Sequence, residues 1–151
     1  MLRKELNDAL KAAMIGKDKC AVATLRLILA AIKDRDIAER ARGNSDGLTD
    51  SDILELLQKM IRQRNESAEM YRKGEREELA EREEKEIEVI QRFLPKPLTE
   101  GEAVVAIREV IAEIDASSIK DMGKVIGILR QRYPGRMDFS KVSGLVKSCL
   151  T

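Results

Sequence analysis

Apolar residues recur at helical spacing along most of the chain. At its start, Leu2, Leu6 and Leu10 repeat every four residues, with charged residues between them. This is the pattern of an amphipathic helix that buries one face. Similar stripes follow up to residue 94, interrupted by glycines and by the polar stretch 43–47. The pattern predicts four helices in this part of the chain.

The second of these helices is predicted to be the most buried one. It starts near Asp18 and carries Leu25 and, eleven residues later, Asp36 in the register of a single stripe. Leu27 and Ile28 are expected to widen its apolar face, so that both pack in the core.

The third and fourth helices are predicted from caps and charge pairs. Thr49 is a favourable N-cap for the third helix, and Gly74 stands where a C′ glycine would end it. The fourth helix, residues 75–94, has few apolar positions, and between Glu75 and Glu88 it holds eight glutamates against three basic residues. Opposite charges three or four residues apart support a helix here over a disordered tail.

Two prolines mark a joint between two helical modules. Pro95 and Pro97 each lack a backbone donor and disfavour helical backbone in the residue before them, so no helix continues through 93–99. Thr99 is expected to be the next N-cap, with Glu102 at the third helical position to complete a capping box. A new helical module therefore begins at this point.

Three short helices are predicted after the joint. They are marked by Val104, Ile107, Ile111 and Ile114, by Met122 to Tyr133 with Asp121 or Ser118 as the cap, and by a last stretch that starts at Asp138. The predicted fold class is all-α. An N-terminal four-helix domain, 1–94, is joined at a Pro-x-Pro linker to a small C-terminal three-helix bundle, 99–151.

Composition agrees with packed helices. Apolar residues make up 43% of the chain and aromatic residues 3%, whereas a sheet protein normally uses more aromatic and β-branched side chains. Cys20 and Cys149 are far apart in sequence and are expected to be reduced. No apolar run approaches the roughly 20 residues that span a bilayer, and no signal peptide precedes the first helix. We therefore expect a cytoplasmic protein with no membrane partner.

The residue types argue against catalysis by this chain alone. It has no histidine, which removes the usual general base and the commonest metal ligand. The two remote cysteines give no zinc site, and the pattern from Gly123 to Gly127 lacks the spacing of a nucleotide phosphate loop. The glutamates of the fourth helix indicate a solvated face. We predict no catalytic residue, no metal and no cofactor.

Charge singles out the C-terminal end. Residues 120–151 carry seven basic and two acidic side chains, whereas the first 94 residues carry 19 basic and 20 acidic ones. Asp121 and Lys124 lie at a predicted helix N-terminus, where free amides and the helix dipole attract phosphate. Gly123 would let a sugar-phosphate backbone approach closely. Two alternatives stay open: Gly123 and Gly127 let another helix pack closely, or the basic set is an ordinary solvated surface.

Several short motifs follow one another along the whole chain. In the N-terminal part they are Leu25-Arg26 with Ala30-Ala31-Ile32, then Lys59–Ser67, Gly74–Ala80 and Glu83–Ile87. They continue with Phe93-Leu94-Pro95, Leu98-Thr99, Asp121–Ile126, Gly135–Asp138, Val142 and Val146-Lys147. Together they resemble the YqeY family, the free-standing relatives of the C-terminal tail of GatB, a subunit of glutamine-dependent tRNA amidotransferase. Ile126 and Asn65 depart from the Met and Asp that the family often has there.

The resemblance implies a helical N-terminal domain followed by a small three-helix domain of the type that contacts tRNA in GatB. It does not imply catalysis, because the parts of the amidotransferase that activate the carboxyl group and release ammonia lie in other domains and subunits. A carbon–nitrogen ligase label on the family would be inherited from GatB.

We therefore expect a non-catalytic, RNA-binding accessory protein that contacts tRNA or a tRNA-like RNA through its basic C-terminal end. The candidate RNA-binding residues are Lys120, Gly123, Lys124, Arg130, Arg132, Arg136, Lys141 and Lys147. Two other functions stay open. One is a protein-interaction module whose partner docks on the acidic fourth helix or the basic C-terminal bundle. The other is an accessory role in glutamine-dependent amide transfer onto tRNA.

Overall fold

The computed structural model describes residues 1–151, and all of its regular elements are helical, as predicted. The seven α-helices are α1 (Leu2–Ile15), α2 (Lys19–Ala41), α3 (Asp50–Lys73), α4 (Glu77–Gln91), α5 (Glu100–Ile114), α6 (Met122–Arg132) and α7 (Phe139–Leu150). The chain divides into two compact units, Met1–Leu94 with α1 to α4 and Pro95–Thr151 with α5 to α7. That each unit folds by itself is a prediction.

Side-chain caps start α3 and α5. Thr49 Oγ1 accepts from the Asp52 amide at 3.2 Å, and Asp52 Oδ2 accepts from the Thr49 amide at 3.0 Å. Thr99 and Glu102 form the same reciprocal pair at 3.1 and 3.2 Å. Each capping box satisfies amides that have no partner within the helix. The predicted capping box after the prolines is thus confirmed.

The end of α3 differs from the prediction in one detail. Gly74 has φ −89°, and the residue that adopts the left-handed conformation is Glu75, with φ 58°. The Arg76 amide then donates to the Tyr71 carbonyl at 2.8 Å, the closing bond of a Schellman-type turn. The expected C′ role of Gly74 is therefore wrong, and α4 begins at Glu77 because the turn uses the residues before it.

The first unit buries one side of each of its helices. Its largest fully buried side chains are Leu6, Leu25, Ile28, Ile53, Leu57 and Ile90. Leu27, which was expected in this core, is instead 50% exposed. Successive residues are about 100° apart around a helix. A face of α2 that buries Leu25 and Ile28 therefore turns Leu27 towards solvent.

A partly buried ion pair links α1, α2 and the loop before α3. Asp36 is only 7% exposed, and its carboxylate accepts from Arg3 Nη1 and Nη2 at 2.7 and 2.6 Å. It also accepts from the Leu48 amide at 2.8 Å. The hydrogen bonds from Arg3 outweigh the desolvation of the carboxyl group and, with the Leu48 amide, lower the pKa of Asp36 from 3.8 to about 2.

Gly47 fits against this ion pair. Its φ is +75°, and a Cβ atom there would lie 2.5 Å from Asp36 Oδ1. Only glycine therefore satisfies both the backbone conformation and the close approach of the carboxylate.

The second unit has a core of its own, formed by all three of its helices. Its buried residues are Ala103, Ala106, Ile107, Val110, Val125, Leu129, Met137, Val142 and Val146. The first residues of this unit pack against the turn between α6 and α7, because the Leu98 amide donates to the Arg136 carbonyl at 2.9 Å.

Candidate nucleic-acid interface

Two backbone amides at the start of α6, where the sequence predicts phosphate binding, are engaged within the chain. A 3₁₀ turn, Ile119–Asp121, precedes α6 without a break. The Asp121 amide donates to the Ser118 carbonyl at 3.0 Å, and the Met122 amide donates to the Ile119 carbonyl. Asp121 does not cap α6, since its carboxylate accepts from the Ser117 amide at 3.1 Å. The Asp121 and Met122 amides are therefore not free for an anion.

The glycines of α6 lie on its open side. A Cβ atom built on Gly123 or Gly127 would meet nothing within 4 Å. The alternative that these glycines let another helix of the chain pack closely is therefore wrong. A glycine inside a helix costs about 1 kcal/mol relative to alanine. Here the two glycines, which lack side chains, leave a flat, exposed helix surface beside Lys124.

Gly144 of α7 has the same surroundings, and sequence reasoning missed it. A Cβ atom there would also meet nothing within 4 Å, and Lys141 and Lys147 lie one turn before and one turn after it. The signal was readable from helical spacing, because Val142 and Val146 are apolar and Gly144 lies on the opposite side of the helix.

The three candidate arginines are held in contacts within the second unit. Arg132 forms a two-pronged ion pair with Glu113 of α5, in which Nη1 donates to Oε1 at 2.9 Å and Nη2 donates to Oε2. This hydrogen bonding lowers the pKa of Glu113 and raises that of Arg132. Arg136 Nε donates to the Lys96 carbonyl at 2.9 Å. The Arg130 guanidinium lies over the Phe139 ring, 5.3 Å from its centroid.

The four candidate lysines are placed differently. Lys120 precedes α6, Lys124 lies in its first turn, and Lys141 and Lys147 lie on α7. All four are exposed, and none forms an ion pair with a carboxylate of the chain. They are the cations that a phosphate backbone would reach first. The structure thus separates the candidate residues into exposed lysines and internally engaged arginines.

Acidic residues of the second unit lie mainly on another helix. Its carboxylates on α5 and at the end of α5 are Glu100, Glu102, Glu109, Glu113 and Asp115. Against them α5 carries one cation, Arg108. The unit is therefore divided by charge: α5 is acidic, whereas α6 and α7 carry the exposed lysines.

Neither a metal-ligand cluster nor a membrane-crossing helix is present in the structure. No group of three or more histidine, cysteine, aspartate or glutamate side chains is placed to hold a metal ion. No helix combines the length and the apolar character that crossing a bilayer requires.

The chain is thus an all-helical protein whose C-terminal unit carries exposed lysines on α6 and α7. A family model described as "Yqey-like protein" matches residues 3–150, essentially the whole chain. The chain belongs to the YqeY family, as its motifs indicated.

Three curated relatives of this chain are fungal proteins. An uncharacterized protein of Schizosaccharomyces pombe is 33% identical over 96 residues, which cover 64% of this chain and 71% of the relative. Two proteins named "Altered inheritance of mitochondria protein 41, mitochondrial" are also similar. The one from Lachancea thermotolerans is 38% identical over 74% of this chain, and the one from Clavispora lusitaniae is 36% identical over 62% of it. The aligned part spans about half the length of these two relatives, 52% and 51%.

These relatives correct one prediction. The chain was expected to be cytoplasmic, on the ground that it shows no membrane span and no signal peptide. The comparison contradicts that prediction, because the two relatives named above are described as mitochondrial proteins. The absence of an apolar segment therefore gave no basis for choosing a compartment.

Proposed function

We propose that this protein is a non-catalytic accessory factor that binds tRNA or a tRNA-like RNA through the lysines of α6 and α7. Phosphate contacts would come from Lys120, Lys124, Lys141 and Lys147. The open glycines beside them favour close approach of a sugar-phosphate backbone to the helix surface.

The separation of charge within the second unit carries this proposal. Arg132 and Glu113 neutralise each other between α6 and α5, and the remaining carboxylates of α5 would repel RNA from that side. The lysines have no such partner, so a polyanion lowers its energy most by facing α6 and α7. Membership of the YqeY family supports the same surface, because its resemblance to the GatB tail implies a tRNA contact.

The arginines have supporting roles in this proposal. Arg130 over Phe139 offers a flat cation that stacks on an unpaired base, which is a common mode of RNA recognition. Arg136 holds the Pro-x-Pro segment through the carbonyl of Lys96, which lies between the two prolines. We propose no bond-making step for this chain. Any part in amide transfer would consist of positioning the RNA for another protein.

The proposal predicts binding that depends strongly on salt. Three or four lysines at phosphates give a log–log salt slope of roughly −2 to −3.6. Affinity for labelled bulk tRNA, measured by fluorescence anisotropy, should therefore fall about 15- to 150-fold between about 50 and 200 mM salt. A DNA duplex with the same number of phosphates offers no unpaired base for Arg130 to stack on, so it should bind more weakly. Absence of tRNA binding at the lower salt, or equal binding of the duplex, would contradict the proposal.

A further inference from the structure

A mainly apolar row of exposed and half-buried residues runs along α2 in the first unit. We call it the α2 seam: Cys20, Ala23, Leu27, Ala30, Asp34 and Ile37, spaced alternately three and four residues apart. Leu27 is 50% and Ile37 56% exposed, and both alanines are exposed as well. Five of the six positions are apolar, although isolated apolar side chains are normal on a surface. This spacing, 3.5 residues on average, is that of a helix that packs along another helix.

Cations line one side of the α2 seam. Lys19, Arg26 and Lys33 follow one another at intervals of seven residues, so they stand in one line along the helix. All three are exposed, and none forms an ion pair with a carboxylate of the chain. At the start of the seam, Lys17, Lys19, Val22, Ala23 and Arg26 line a shallow, mainly apolar groove.

We propose that the α2 seam binds an amphipathic helix of a partner protein, with glutamate or aspartate along the edge that faces Lys19, Arg26 and Lys33. Ala23 and Ala30 lie on either side of Leu27, and such small residues let a second helix approach closely. Leu27 then inserts between side chains of the partner, in the manner of helix-in-groove recognition. Asp34, the single acid in the seam, fits a basic residue of the partner and fixes its register.

Charge favours this occupant over a second copy of the chain. In an antiparallel symmetric pair of α2 helices the two rows of cations would meet, and in a parallel pair the two Asp34 side chains would meet. The acidic helix α4 is not a suitable ligand either, because its apolar residues Ile87 and Ile90 are buried in the first unit.

A membrane or RNA fits the α2 seam less well. Helices that lie on a membrane insert bulky Trp, Phe or Leu side chains, whereas two of the five apolar seam residues are alanines. A phosphate backbone gains nothing from the apolar positions. The seam belongs to the first unit and the lysines of α6 and α7 belong to the second, so the two proposals fail or succeed separately.

Two designed peptides test the proposal on the full chain. Both are helical, of about 21 residues, with leucines alternately three and four residues apart. One carries glutamates beside the leucine stripe and the other carries lysines there. Fluorescence anisotropy should show at least about tenfold tighter binding of the acidic peptide. Leu27→Glu should abolish that binding, whereas Met70→Glu, at a 69% exposed position of α3, should leave it unchanged.

A charge swap makes the test independent of folding effects. Replacing Lys19, Arg26 and Lys33 with glutamate changes only exposed positions, and it should reverse the preference so that the basic peptide binds more tightly. Equal binding of both peptides, or no reversal, would overturn the proposal. Three other results would also overturn it: a dimer, binding to anionic vesicles, or binding to tRNA, if Leu27→Glu abolishes the one observed. Each of them would assign the seam to another occupant.

Discussion

The ion pair between Arg3 and Asp36 should contribute measurably to the stability of the first unit. Asp36→Asn keeps the shape of the side chain and its acceptor for the Leu48 amide, but it removes the charge that Arg3 binds. The pKa of Asp36 is lowered from 3.8 to about 2. At ~1.4 kcal/mol per pKa unit, this difference corresponds to about 2 kcal/mol of stability. We expect Asp36→Asn to lower the free energy of unfolding by about that amount at neutral pH.

The pH dependence of this loss identifies its cause. The folded-state pKa lies below that of the unfolded chain. The stabilisation by Asp36 is therefore present above pH 3.8 and is lost as the pH falls towards about 2. Urea unfolding of both proteins, followed by circular dichroism, should show that about half of the difference has gone at about pH 3.

A neighbouring carboxylate of the same helix supplies the control. Asp34 is exposed and has no ion-pair partner, so Asp34→Asn should change the free energy of unfolding by less than about 0.5 kcal/mol. An equally small change in Asp36→Asn, or a loss that is the same at pH 7 and pH 3, would refute the assignment of stability to the ion pair.

Three further substitutions or cuts have definite expected outcomes. Gly47→Ala should destabilise the protein in urea unfolding by at least about 1 kcal/mol, because its φ is positive and the new methyl group would collide with Asp36. Thr24→Val should stabilise it by about 1 kcal/mol, because the Thr24 hydroxyl is buried without a hydrogen-bond partner; destabilisation would show that the hydroxyl is satisfied. Cutting between Pro95 and Pro97 should leave two pieces that are both helical by circular dichroism, and two unfolded pieces would show that the units share one core.

Local signals predicted the helices well. Thr49 and Thr99 indicated the starts of α3 and α5, because a capping box involves residues only three positions apart. Pro95 and Pro97 marked an interruption for an equally local reason. The ends of helices were less certain, since the left-handed turn after α3 falls on Glu75, where a glycine one residue earlier had suggested it.

Features that depend on packing across the chain were not predictable in the same way. Asp36 lies in the register of an apolar stripe, but nothing near it in sequence indicates Arg3, which is 33 residues away. The expectation that Leu27 lies in the core was wrong, since the sequence does not show which side of α2 the other helices cover.

For the candidate interface, too, local sequence features were predictable and contacts between helices were not. The excess of positive charge after residue 120 is a property of composition and was visible at once. Which cations are engaged within the protein depends on contacts between helices. Arg132 meets Glu113 across α6 and α5, whereas Lys124 and Lys147 meet no carboxylate. We therefore base the RNA-binding proposal on the lysines of the candidate set rather than on its arginines.

The central claim, that α6 and α7 bind RNA through exposed lysines, is tested most directly by the salt dependence of tRNA affinity in two matched double variants. Lys124→Ala with Lys147→Ala removes two proposed phosphate contacts, and Lys4→Ala with Lys11→Ala removes two exposed lysines of α1. We predict weaker binding for the first variant, with a log–log salt slope shallower by roughly 1.4 to 1.8, and an unchanged slope for the second. Equal losses in both variants, or a larger loss in the second, would contradict the account.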